Sequence, residues 1–318
     1  MLTFFRQAEE SQLIGSPAYL ESILQTYQND RLSGLIQVSA AADWEIVILF
    51  EHGTRVRSYR LEPQTCRLLS GEDLGADWSA REAPIRTLVL PDAAVWAVWL
   101  ALECYPPAGQ ETKEARMLSD YFAARQAEKK NCLVQLMAEE SDGFVLLWEG
   151  EPARADVVFS TANGFSNSLP FNRLRDENAT APWGLQIYDI NPQLPVFSRL
   201  RLRAEVSAWV RATFHQYQDL VGMRLLASLI HNINQASQSQ QWRIGVDSAG
   251  LVDRHIFAKV ETCQMAYRAI LQSMQQQISL VIGNLLTQRL LTETFEKLTP
   301  AQQQSLAAQA LTPAVLNR

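Results

Sequence analysis

The chain is poor in the residues from which most catalytic and metal centres are made. Only four histidines occur in 318 residues, His52, His215, His231 and His255. No two of them stand at ligand spacing with a carboxylate between, so a histidine metal site would have to be assembled from distant segments. The four cysteines, Cys66, Cys104, Cys132 and Cys263, include no Cys-x-x-Cys pair, which leaves neither a zinc knuckle nor a redox dithiol to be read from spacing. A Gly-x-x-x-x-Gly-Lys-Ser/Thr phosphate loop, a strand-linked Gly-x-Gly-x-x-Gly, a Gly-x-Ser-x-Gly elbow and a His-Glu-x-x-His helix are all missing. No cofactor and no metal are expected, and no catalytic residue is singled out.

Basic charge is also in short supply. With 34 acidic and 28 basic side chains the formal charge is −6, a balance that repels phosphate backbones. The densest basic stretch, Arg199, Arg201 and Arg203 beside Glu205, fits a solvated strand or helix start better than a nucleic-acid footprint. No window holds 18 apolar residues free of charge, and the apolar run near Phe4-Phe5 is too short for a signal segment. A cytoplasmic chain is expected, touching neither nucleic acid nor membrane, with its cysteines reduced and mostly buried. The sequon Asn178-Ala179-Thr180 is then a chance match.

What is present is ordinary globular material. Hydrophobic residues make up 47% of the chain and charged residues 19%, which excludes disorder and supplies real cores; the length favours two or three units of about 100–150 residues. A repeat emerges at an offset of 98 residues. Leu35-Ile36-Gln37-Val38-Ser39-Ala40 realigns with Leu133-Val134-Gln135-Leu136-Met137-Ala138. Without a gap, Ile46-Val47-Ile48-Leu49-Phe50-Glu51 meets Phe144-Val145-Leu146-Leu147-Trp148-Glu149.

In the first repeat, Ser16 followed by Pro17 is an N-cap with proline at the first helical position, predicting a helix over 17–28. Strands are expected at 35–38, 46–50, 56–61 and 85–90, with the polar stretch around Ala42-Asp43 and then Gly53 as turns, and Pro91-Asp92 opens a helix toward Cys104. Pro106-Pro107-Ala108-Gly109 reads as a linker. Beyond it a helix over 113–127 is predicted with Thr112 as N-cap, then strands at 133–138, 144–148, 155–159 and 185–188, with Asp142-Gly143 as a turn and 160–180 as a loop.

After residue 198 the period changes from two to about 3.6. Val206, Val210, Phe214, Tyr217, Val221, Leu225 and Leu229 form one stripe on a helix of about 30 residues. A turn at Asp247-Ser248-Ala249-Gly250 leads to a second long helix starting near Asp253, whose stripe is Cys263, Tyr267, Ile270, Met274, Ile278, Val281 and Leu285, widened by Ile282, Leu286 and Leu290. The two should pair antiparallel. Thr299-Pro300-Ala301-Gln302 is a capping box that opens a short terminal helix. The fold class is thus α+β: two tandem divergent helix-plus-antiparallel-meander units (1–108 and 109–198), then a long antiparallel helical hairpin (199–318).

Weighed for chemistry, His231-Asn232-Ile233-Asn234 gathers an imidazole and two amides, but a helix C-terminus attracts a histidine on its own account. The carboxylates of Glu139-Glu140-Ser141-Asp142, and Asp73 with Asp77, read as solvated turns. For a partner surface the candidates are aromatic and aliphatic: Trp96 and Trp99, three apart on one helix, and Phe214, Tyr217, Tyr267, Ile278 and Leu286 on the hairpin. Apolar arcs wider than one seam need further cover, which predicts a homodimer through the helical region.

Three segments of the first repeat, Ser16-Pro17-Ala18-Tyr19-Leu20 with Leu24, Ser33-Gly34-Leu35-Ile36-Gln37-Val38, and Phe50-Glu51-His52-Gly53-Thr54-Arg55-Val56, together resemble the PATAN-type domain family of bacterial signalling proteins. The second repeat departs from it, with Cys132 and Glu151 where the glycines fall. The resemblance implies a non-catalytic adaptor or scaffold docking onto other proteins such as a response regulator or motor protein. A small-ligand-sensing regulatory domain and an enzyme with a dispersed site are the alternative expectations.

Overall fold

The computed structural model describes residues 4–5, 10–41, 44–70, 82–114, 117–139, 141–148, 151–161, 164–166, 182–238, 242, 244–248, 250–253, 257 and 260–316. The expected turn at Ala42-Asp43, the Asp73/Asp77 pair, the sequon, most of the 160–180 loop, Ala249 and His255 fall outside them. By its internal contacts the chain falls into two units, Met1–Pro192 and Gln193–Arg318.

The first repeat runs β1 (Glu10–Gly15), α1 (Pro17–Asn29), β2 (Gly34–Ala41), β3 (Trp44–Glu51), β4 (Thr54–Glu62), β5 (Thr65–Leu68), β6 (Ala83–Val89) and α2 (Asp92–Glu103). Ser16 caps α1 as expected, its side chain accepting from the Tyr19 N–H. The second repeat runs β7 (Gly109–Glu114), α3 (Leu118–Glu128), β8 (Cys132–Met137), β9 (Ser141–Trp148), β10 (Glu151–Thr161), β11 (Gly164–Ser166) and β12 (Pro182–Asp189). The two antiparallel sheets share one topology. The first is ordered β1-β6-β2-β3-β4-β5 and the second β7-β12-β8-β9-β10-β11, so strand for strand each repeat threads its sheet identically. The matched glutamines occupy matched sites too: Gln37 and Gln135 are both buried, at 2% and 1% exposure.

Strand alternation explains the layering. Ile36, Val38, Ile46, Ile48 and Phe50 form a core with Leu20 and Tyr27 of α1, and Val134, Leu136, Val145 and Leu147 do so with Leu118, Tyr121 and Phe122 of α3. The opposite faces, carrying Leu35, Val47 and Leu49 in one sheet and Leu133, Phe144 and Leu146 in the other, are equally buried. One helix serves both: α2 packs on β2 and β3 of the first sheet and on β8, β9 and β10 of the second. Its sequence suits that place, with no charge between Asp92 and Glu103 and every residue from Ala94 to Leu102 buried. Phe4 and Phe5 join this layer, their rings 6.1 and 5.5 Å from Phe144, while Arg86 donates to both of their carbonyls.

Two expectations in the second repeat are corrected. Thr112 caps no helix; it lies in β7, an edge strand paired only with β12, and the helix starts at Leu118. Gly-Gln-Glu-Thr-Lys-Glu carries no apolar alternation because an edge strand tolerates, and benefits from, polar side chains. Asp142-Gly143 is no turn either: both residues pair within β9, and Asp142 is buried.

The second unit is helical: α4 (Pro195–Val221), α5 (Met223–Gln238), the hairpin strands β13 (Ile244–Asp247) and β14 (Gly250–Asp253), α6 (Val260–Ile282), α7 (Asn284–Glu296), α8 (Pro300–Ala308) and α9 (Pro313–Leu316). The Thr299 capping box forms with Gln302. Arg199 is not a solvated charge; it is 4% exposed and donates to the carbonyls of Pro195 and Phe257. The second long helix starts at Val260 rather than near Asp253, because Gly250–Asp253 pairs with Ile244–Asp247 instead.

Each expected long helix is broken once, at Gly222 (φ 85°) and at Gly283 (φ 81°). The break at Gly222 interrupts the buried stripe for one turn before it resumes at Leu229, which is 3% exposed. Leu225 continues the sequence stripe yet is 40% exposed, whereas Leu226, off the stripe, is 1% exposed.

Gly34 sits where β2 crosses β6, and a Cβ there would lie 1.9 Å from the Leu88 carbonyl oxygen. Gly34→Ala therefore forces the two strands apart and lowers stability by about 3 kcal/mol. A urea titration followed by near-UV circular dichroism should show the midpoint drop; an unchanged midpoint rejects the packing account.

Candidate functional site

Among the described residues, one grouping of histidine and carboxylates brings its ligand atoms within 4.8 Å of one another: Glu51, His52 and Asp92. Glu51 ends β3, His52 opens the β3–β4 turn, and Asp92 is the first residue of α2. His52 Nε2 lies 3.0 Å from Asp92 Oδ2. Ser33 Oγ donates to Asp92 Oδ1 at 3.0 Å and accepts from the His52 N–H at 2.9 Å. Trp96 Nε1 donates to Glu51 Oε1 at 3.0 Å. An imidazole with two carboxylates is a donor set that suits zinc-like cations, but these oxygens already serve neighbours, and the arrangement works as a clasp that fixes the start of α2 to the hairpin turn. Sequence spacing does not reveal it, since Ser33, His52 and Asp92 are up to 59 residues apart.

The thiols are unsuited to nucleophilic work. All four cysteines are free, and burial pushes Cys66, Cys104 and Cys263 up to about 12 and Cys132 up to about 11. At the linker, an open cleft of about 450 Å³ is lined by Pro63, Gln64, Tyr105, Gln110 and Gln186 among others. His231 is exposed and faces no assembled ligand site; Asn232 donates to Gln277, and Asn234 bonds both the N–H and the carbonyl of Val246.

The candidate interface residues are mostly interior. Trp96 and Trp99 are 6% and 2% exposed, stacked on each other within the layer between the sheets, with Trp99 Nε1 donating to Glu103. Phe214, Tyr217, Tyr267 and Ile278 are buried in the core of the helical unit. Only Leu286 of the set, at 55%, remains exposed. The correction has one cause: large aromatic side chains at helical spacing complete the chain's own core first.

The exposed apolar surface lies elsewhere and is concentrated. Of thirteen large hydrophobic residues exposed among the described residues, seven sit beside the two helix breaks: Leu220, Met223 and Leu225 at one, and Leu280, Val281, Leu285 and Leu286 at the other. The breaks lie at the same end of the unit. The hairpin β13–β14 marks the opposite end, where Asn234 of α5 bonds Val246, Tyr267 of α6 donates to Asp253, and Ser207 of α4 accepts from the Leu251 N–H. From these points α5, α6 and α4 each run about 18–24 Å to a glycine break at 1.5 Å per residue. Leu225 and Leu285, the first stripe residues past each break, and Val281, the last before Gly283, are left in water, whereas Leu229 and Leu290 further along are buried; the stripe spacing read through the glycines is the sequence feature that could have found them.

No family model, curated protein or solved structure matches the chain. No helix among the described residues is long and apolar enough to cross a membrane.

Raised thiols have a definite pH consequence. A thiol held higher in the folded chain than its ordinary value of about 9 keeps its proton more tightly when folded, so its contribution is complete below pH 9 and is lost as pH rises toward 11–12. Iodoacetamide labelling of the folded chain should stay slow near neutral pH, and urea midpoints should fall through that alkaline window. Fast labelling of any one of the four near neutrality contradicts the burial argument.

Proposed function

We propose that the chain is a non-catalytic protein-interaction adaptor or scaffold of bacterial signalling, acting in the cytoplasm. The observation that carries the reading is the cluster of exposed apolar side chains at one end of the helical unit, a surface whose natural use is to be covered by protein. Four free, proton-holding thiols suit a reducing compartment and argue against a cysteine nucleophile. The resemblance of the first repeat to PATAN-type domains directs the choice of partner toward a response-regulator receiver or a motor protein. Affinity capture from the native cell followed by crosslinking mass spectrometry tests it. Crosslinks from the helical end or the α+β repeats to such a partner are expected, whereas crosslinks confined to the chain and its own copies reject the adaptor role.

A second reading is favoured by the linker cleft of about 450 Å³, whose lining includes Gln64, Gln110 and Gln186 beside Tyr105. As a sensor the chain retains a small molecule in native mass spectrometry, and Gln110→Leu weakens that retention. A native mass equal to the bare polypeptide rejects it.

A further inference from the structure

The two helix breaks have nothing locally to cause them. A Cβ built on Gly222 or Gly283 meets no atom within 4 Å, while one on Gly34 would strike backbone; no close approach demands glycine at either break. What demands it is the conformation itself. Gly222 stands at φ 85°, ψ 166° and Gly283 at φ 81°, ψ 159°, a region essentially closed to other residues. In sequence, both apolar stripes pass through the glycines in phase: Tyr217, Val221, Leu225 and Leu229 on one side, Met274, Ile278, Val281 and Leu285 on the other. The sequence thus encodes two uninterrupted helices, about 66 Å and about 55 Å long at 1.5 Å per residue, and the structure folds each of them back on itself.

The segment between the breaks, 223–282, holds together by its own contacts. Asn232 bonds Gln277, Asn234 bonds Val246, and Tyr267 bonds Asp253. The remainder holds together likewise, with Trp209 Nε1 donating to the Leu291 carbonyl and Thr294, and Gln216 bonding Glu293 and Lys297. Between the two bodies run Ser207 with Leu251, Arg199 with Phe257, and Arg268 with the Ala310 carbonyl.

We infer that Gly222 and Gly283 are paired hinges, and that a second copy of this chain is the occupant of the apolar end, docking by exchange of segment 223–282. Straightening both hinges carries that segment away from α4 and α7 and bares the faces it covered. The surface that fits those faces residue for residue is the same segment of another copy, which repeats between chains the bonds made at Ser207, Arg199 and Arg268. Straightening also returns Leu225 and Leu285 to their stripes, where the paired chain covers them together with Val281. The inference rests on the helical end being an interaction surface, but not on the identity of any other partner.

Light scattering on the full chain at tens of micromolar tests it, with a mass twice 35.8 kDa expected. Leu225→Glu with Leu285→Glu changes residues that are solvent-exposed in the closed form, so the variant keeps its circular dichroism yet becomes monomeric. Gly222→Ala with Gly283→Ala disfavours the broken form and strengthens association at least tenfold. Ser207→Cys with Leu251→Cys, oxidised, migrates as a covalent dimer on a non-reducing gel when segments are exchanged. A monomeric parent chain, a dimer indifferent to the two glutamates, or a disulfide closed only within one chain overturns the proposal. Should the alanine variant fail to fold, the parent, glutamate and cysteine measurements decide it. A monomer that still crosslinks to a signalling partner refutes the exchange and leaves the adaptor reading standing.

Discussion

One helix, α2, fixes the form of the first unit, because it is the shared core layer of two sheets. A helix buried on every side cannot carry charge in its middle, and Asp92–Glu103 carries it only at its ends. Those ends are tied by polar bonds: Asp92 to Ser33 and His52 at one, Glu103 to Tyr59 and Trp99 at the other. Trp96 and Trp99 each keep an indole N–H bonded to a carboxylate while burying their rings, which is how a side chain with one polar atom enters a dry layer without loss. The clasp around Glu51 and Asp92 follows from this need to anchor α2.

The same layer accounts for the divergence of the repeats. After the sixth strand of each repeat the chain meets proline and then a helix, Pro91 before α2 and Pro192 ahead of α4. The first of these helices covers the inner faces of both sheets, and the second opens the helical unit. Cys132 holds the place of Gly34 in the sheet, each opening its strand opposite the last residue of the sixth strand, Asp189 and Val89 respectively.

Strands and helices with burial on at least one full face were legible because hydrophobic period reports burial; the β2, β3, β8 and β9 runs, buried on both faces, read as continuous apolar stretches. The polar edge strand β7 was invisible for the same reason, since Gly-Gln-Glu-Thr-Lys-Glu shows no apolar alternation. Phe214, Tyr217, Tyr267 and Ile278 were found as apolar positions but not as interior ones, because periodicity names a face without naming what covers it. The Ser33–His52–Asp92 clasp escaped because contact across 59 residues leaves no trace in spacing. The helix breaks escaped because a single glycine in phase with its stripe is tolerated by a helix.

That tolerance sets the balance within the helical unit. Glycine inside a continuous helix costs about 1 kcal/mol relative to alanine, whereas at φ near +80° it is the residue with the least strain. Gly222 and Gly283 therefore bias the chain toward the broken helices by a modest amount at each site. Seven apolar side chains exposed beside the breaks act in the opposite direction, since burying even a few of them returns about 1.5–3 kcal/mol apiece. The two terms oppose each other, one local to the backbone and one requiring a second surface, so in the exchange inferred above the extended form gains ground only as concentration supplies that surface.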